Sequence, residues 1–244
     1  SDLFKKKKDN NEDYSLDETA CELIEYLECE CEYIPPTKDT KILWEKYLDA
    51  YEKGKKEGFT PVFIPVDDAL LETLLTTTTD DISEDDEIEN ENDIDFLSDD
   101  EETYREKLLS SKLEDGKQYL NKSFTELIDS MVETEGQDEI NRIYYGESED
   151  IVAFEDIEAL DSFVGWKDFI ENETYELILV KIPTTKPWEV FAWLPFGGWN
   201  ECPLPKKMMS ATKYWYKKYG AVTGLITQTS LDMYLPKPIN NIDV

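Results

Sequence analysis

A chain of 244 residues, 40% of them hydrophobic, suits one sizeable or two small domains with a real core, and none of its apolar runs approaches the roughly 18 consecutive residues of a membrane helix. Its formal charge of −32, from 25 basic and 57 acidic side chains, repels nucleic-acid phosphates and anionic membrane surfaces and attracts basic proteins or cations. Histidine is absent, which excludes Ser–His and Cys–His nucleophile pairs, His-ligated zinc and the commonest general base near neutral pH.

The charge is unevenly spread. Residues 181–244 hold eight lysines against four acids, a net +4, so residues 1–180 carry −36. No secretory n-region followed by an apolar h-region is present, and a cytoplasmic protein is expected. Because Ser1 rather than Met opens the chain, a trimmed start and a lost targeting segment stay open.

In chain order, residues 1–14 read as a flexible terminus. Lys5–Lys8 are diluted by Asp2, Asp9, Glu12 and Asp13, which favours a solvated end over a membrane-surface anchor. Residues 15–79 form a first helical and strand part. Ser15-Leu16-Asp17-Glu18 fits a capping box with Ser15 as N-cap, and Leu16, Ala20, Leu23, Ile24, Leu27 and Cys31 mark one face of a helix ending before Pro35-Pro36. Leu43, Trp44, Tyr47, Leu48 and Tyr51 predict a second helix, with Gly54 and Gly58 at its exit. Residues 59–66 predict a strand that Pro61 and Pro65 demote to an edge or a short strand, and Asp68–Leu75 a short helix.

Residues 80–102 are the acidic segment, inside a stretch from Glu57 to Tyr104 that has no basic residue between its ends. Three readings stay open there. High net charge opposes compaction and suits a flexible loop; Ile82, Ile88, Ile94, Phe96 and Leu97 would serve as anchors in a docking strip for a basic protein; and the carboxylates would suit calcium, without the glycine and spacing of an EF-hand loop.

Residues 103–244 complete the domain. Tyr104, Leu108, Leu109 and Leu113, then Tyr119, Leu120, Phe124, Leu127, Ile128 and Met131, predict a long helical stretch broken at Gly116 and ended at Gly136. Ile140, Ile143, Tyr144 and Tyr145 fit a short helix or strand, and Ile151–Phe154 is apolar and ambiguous. Phe163, Val164, Trp166, Phe169 and Ile170 suggest a further helical turn or two before a strand at Tyr175–Ile182. In Pro187–Leu194, alternating Val190, Ala192 and Leu194 against Phe191 and Trp193 predict a central strand covered on both sides, which Pro195 ends. Gly197-Gly198 permits a turn, Pro205 opens a helix through Met208, Thr212, Trp215, Tyr216 and Tyr219, and Gly220 closes it. Residues 221–227 and 231–235 are the last strands. The whole predicts an α+β or α/β fold: a mixed sheet with a C-terminal strand–loop–helix–strand unit in parallel, right-handed pairing, and helices mainly from the first two-thirds of the chain.

The runs PWEVFAWLPFGGWNECP, KYWYKKYGAV and MYLPKP resemble the bacterial family catalogued as domain of unknown function 4253, over about residues 175–239, and GFTPVFIP is compatible with its upstream part. The resemblance implies a bacterial intracellular domain and brings no catalytic residues with it.

The cysteines Cys21, Cys29, Cys31 and Cys202 lack the four-ligand arrangement of a structural zinc site and read as reduced thiols in or near a core, with no metal and no cofactor expected. Two functional classes remain. The first, which the charge favours, is a non-enzymatic acidic protein that binds a basic protein partner in the manner of toxin-immunity proteins, with no nucleic-acid or membrane partner. The second is a small-ligand or enzymatic site at Gly197, Gly198, Trp199, Asn200 and Glu201, with Glu201 and Cys202 as weak catalytic candidates. There the glycines allow close backbone approach, Trp199 offers a stacking face, and Asn200 and Glu201 supply polar groups. A structural corner, with Trp199 and Cys202 packed and Asn200 and Glu201 bonded to backbone, is the bland reading of the same loop.

Overall fold

The computed structural model describes residues 17–79, 101–137, 160–168, 170–198 and 202–239. Expectations for Ser15, Leu16, Lys5–Lys8, residues 80–100, residues 140–154, Phe169 and Trp199–Glu201 therefore lie outside the described residues.

The first helix, α1 (Glu18–Leu27), starts two residues later than the capping box predicts, with Asp17 as N-cap. It ends where Glu28 enters the left-handed region at φ 52°. The chain then turns into strand β1 (Glu30–Ile34), so Cys31 belongs to a strand and not to the helix face assigned above. The Pro35-Pro36 pair ends that strand, not a helix. Helix α2 (Thr40–Glu57) follows, capped by Asp39, whose carboxylate accepts from Lys41 N and Ile42 N. It closes at Gly58 with φ 90°, as the sequence predicts.

Strand β2 (Thr60–Pro65) is buried along its whole length, and helix α3 (Asp68–Thr79) follows it. Helices α4 (Glu101–Ser110) and α5 (Gly116–Glu135) confirm a break ahead of Gly116 and an end at Gly136. The predicted helical turn around residues 163–170 is instead a loop leading into a two-residue hairpin, β3 (Lys167–Asp168) with β4 (Glu173–Thr174). Strand β5 (Leu177–Ile182), a 3₁₀ helix (Pro187–Ala192), helix α6 (Pro205–Tyr219) and strands β6 (Val222–Ile226) and β7 (Leu231–Tyr234) complete the chain.

The main sheet runs β1-β5-β2-β6-β7 and is mixed: only β2 and β6 are parallel, and the other neighbours are antiparallel. The fold is α+β. The predicted parallel crossover from a strand at 188–195 to β6 is not made, because Pro187–Ala192 is a 3₁₀ helix outside the sheet, and the parallel partner of β6 is β2.

The prolines did not push β2 to an edge, and backbone parity explains why. Val66 N donates to Glu176 O at 2.8 Å in step with the register Thr60↔Ile182, so residues 60, 62 and 64 bond towards β5. Pro61 and Pro65 turn the side without an N–H towards β6, where pairing is confined to Phe63↔Leu225.

Alternation along β5 separates two cores. Ile178, Val180 and Ile182 face α1, α3, α4, α6 and the 3₁₀ helix, whereas Leu177 and Leu179 face α2 and the 163–166 loop. On the second face Tyr47 meets Phe163 edge-on at 4.8 Å and Tyr234 at 5.6 Å, and β6 admits the Phe163 ring because Gly224 has no Cβ, which would lie 2.1 Å from Cζ. Tyr47 is fully buried, and its hydroxyl has no hydrogen-bond partner among the described residues. A buried hydroxyl without a partner costs ~1–3 kcal/mol of desolvation, so Tyr47→Phe is expected to stabilise the fold by about 1 kcal/mol in urea unfolding. A destabilised variant would show that the hydroxyl is satisfied.

Candidate functional site

Two regions carry the chemistry of interest, and the first is the loop singled out by its sequence. Its lead-in is a 3₁₀ helix rather than the predicted strand over 188–195. Pro187 supplies a helical φ at the first turn. The Glu189 carboxylate, in that turn, accepts from Thr184 Oγ1 at 2.6 Å and Lys186 Nζ at 2.7 Å, and Trp193 N and Leu194 N donate back to Val190 O. Its apolar residues are buried from several sides: Val190, Phe191 and Leu194 are inaccessible, and the segment packs against α6, α4 and β6. A short apolar run reads the same whether its burial comes from a sheet or from surrounding helices.

Beyond it, Gly197 and Gly198 hold φ 110° and 85°, and Gly198 N donates to Cys202 O at 3.1 Å, drawing the loop closed. A Cβ on Gly197 would stand 1.8 Å from Pro203 O. Trp199, Asn200 and Glu201 lie between these anchors, outside the described residues. Cys202 is partly covered and packs against the larger core, and burial pushes its thiol up, leaving it protonated at neutral pH. Pro205 then opens α6, as expected, and Gly220 ends it with φ 71°.

The second region is a cleft of about 960 Å³ at the carboxyl ends of the parallel pair β2 and β6. Chain leaving β2 supplies Asp67 and Asp68, chain leaving β6 supplies Thr227–Ser230, β7 supplies Asp232, and the start of α1 supplies Asp17, Glu18 and Glu22. Among the described residues Lys167 is the only basic one in the lining. Some of these acids hold the walls together. Asp232 Oδ2 accepts from Val164 N at 2.6 Å and Gly165 N at 2.9 Å, Asp67 Oδ1 accepts from Ala69 N at 2.7 Å, and the Thr19 hydroxyl donates to Asp68. Asp17, Glu18 and Glu22 are exposed at the rim. Among the described residues no three His, Cys, Asp or Glu side chains are placed to hold one metal ion. The negative charge is spread over the walls, an arrangement that suits an extended or multiply charged cation.

Sequence reading did not find this cleft. The available signal was the rule that α/β ligands sit outside the carboxyl ends of strands, applied to Asp67-Asp68 after β2 and Thr227-Gln228-Thr229-Ser230 after β6. Using it requires knowing that β2 and β6 are neighbours, and residues 66–221 separate them in sequence.

The sheet carries several helices on one face and α2 with the 163–166 loop on the other. Residues 178–243, from β5 through β7, match the family described as Domain of unknown function (DUF4253), and this part of the chain resembles that domain. Comparison with curated proteins and with solved structures gives no match. No helix among the described residues is long and apolar enough to cross a membrane.

Proposed function

We propose that this protein is a non-enzymatic binding protein whose acidic cleft receives basic side chains of a protein partner, neutralising it as immunity proteins neutralise cationic effectors. The observation that carries this reading is the cleft at the ends of β2 and β6, in which Lys167 faces Asp17, Glu18, Glu22, Asp67, Asp68 and Asp232. A formal charge of −32 adds a long-range field that speeds the approach of a cationic partner. The lack of histidine weighs against acid–base catalysis in the same cleft.

Pull-down from the source cell at low and at high salt tests the proposal. A basic protein is expected at low salt, with affinity falling roughly tenfold or more as added salt screens the charges. Failure to recover any basic protein at low salt would remove the reading's support.

A further inference from the structure

Away from the cleft, two thiols stand two residues apart at the start of β1. Glu28, with its left-handed φ of 52°, ends α1 and turns the chain, so that Cys29 precedes the strand and Cys31 lies on it, opposite Val180. Two residues apart along an extended chain, Cys29 and Cys31 both pack against the larger core while remaining partly accessible. Beside them stands Arg105 of α4. Its guanidinium carbon lies 5.4 Å from the centre of the Trp193 ring, its Nη1 reaches Glu28 Oε2 at 3.5 Å, and its buried Nε has no partner among the described residues. Trp193 belongs to the segment that matches the family, so that segment seats the cation next to the dithiol.

We propose that Cys29 and Cys31 are a redox-active dithiol, with Cys29 as the attacking thiol, Cys31 as the resolving thiol, and a low-molecular-weight disulfide as the oxidant. Cys29 Sγ, as thiolate, attacks one sulfur of that disulfide; its S–S bond breaks, and the departing half leaves as a thiolate and takes up a proton. Cys31 then gives up its proton and attacks Cys29 Sγ, forming the Cys29–Cys31 bond and expelling the second half as a thiol. The protein pair loses two electrons and the small disulfide gains them.

The surroundings divide the two roles. The neighbouring Cys31 thiol and the Arg105 charge hold the Cys29 thiol below its ordinary range, against burial and Glu28, which act the other way. The neighbouring Cys29, together with burial, holds Cys31 well above it. β1 is an edge strand, so its outer side is free of sheet pairing when the bond closes.

Reduced full-length chain in a Cys21→Ser, Cys202→Ser background is treated with oxidised glutathione and mapped by mass spectrometry. An intramolecular Cys29–Cys31 disulfide is expected, and adding Cys31→Ser should leave glutathione stably attached to Cys29. With iodoacetamide near neutral pH, Cys29 should react roughly tenfold faster than Cys31. Arg105 acts as a positioning residue, and Arg105→Gln should move the midpoint of the Cys29 alkylation–pH curve upwards. The proposal is overturned by a persistent mixed disulfide on Cys29 with Cys31 intact, by prior reaction at Cys31, or by no reaction of the folded chain with glutathione disulfide. An unmoved alkylation midpoint in a folded Arg105→Gln variant would overturn the role given to Arg105.

Discussion

Trp166→Ala is expected to cost the fold ~3–5 kcal/mol, the range for removing a large aromatic side chain from a core. Trp166 is fully buried, packs edge-on against Phe63 at 5.6 Å and Phe163 at 5.2 Å, and donates from Nε1 to Ser162 Oγ at 3.2 Å. It joins the loop before β3 to the centre of the sheet, because Phe63 lies on β2. Its removal leaves a cavity between two elements that cannot collapse without moving β2 or β6. Urea unfolding of the variant, with Trp166→Phe as an intermediate case, measures the loss. A change below about 1 kcal/mol for Trp166→Ala would contradict the packing described.

Gly197→Ala should be comparably damaging for a different reason. A left-handed φ of 110° costs a non-glycine residue ~1–3 kcal/mol, and the added Cβ would meet Pro203 O at 1.8 Å, so the backbone of the loop must also move. Gly198→Ala, at φ 85° with Leu204 Cδ2 3.3 Å away, carries the conformational cost but only a mild contact, and should be the less destabilising of the two. Similar stabilities for the two variants would mean that the loop is not held against Pro203.

These two sites also mark how far the sequence could be read. Elements with punctuation were legible: Gly58 and Gly136 ended α2 and α5, Pro205 and Gly220 bounded α6, and the apolar runs of β5, β6 and β7 lay where expected. Segments whose burial is decided by distant neighbours were not. Val190–Leu194 shows alternating apolar residues on both sides whether a sheet or several helices enclose it, and only the packing of α4 and α6 settles it as a 3₁₀ helix. Cys31 fitted the face of α1 by spacing, but a left-handed Glu28 ended the helix first. Trp166 read as part of a helical turn, although its contacts are with strand and loop residues far away in sequence.

The acidic cleft belongs with the second group. Its charge was visible in the composition, its location was not, because Asp67 and Asp232 come together only through the β2–β6 pairing and Glu18 joins them through the packing of α1 on α3. The loop glycines were legible as turn formers, and the structure assigns both of them positive φ.

Titration calorimetry of an arginine-rich peptide at low salt tests most directly whether the cleft, rather than overall charge, receives cationic partners. Glu18→Gln with Glu22→Gln removes two exposed carboxylates from the cleft, and Glu133→Gln with Glu135→Gln removes the same charge from the exposed end of α5, outside it. The cleft pair is expected to weaken peptide binding by roughly tenfold while the α5 pair changes it little, since close charges act more strongly than screened distant ones. Equal losses in the two variants, or full affinity in the cleft variant, would contradict the account.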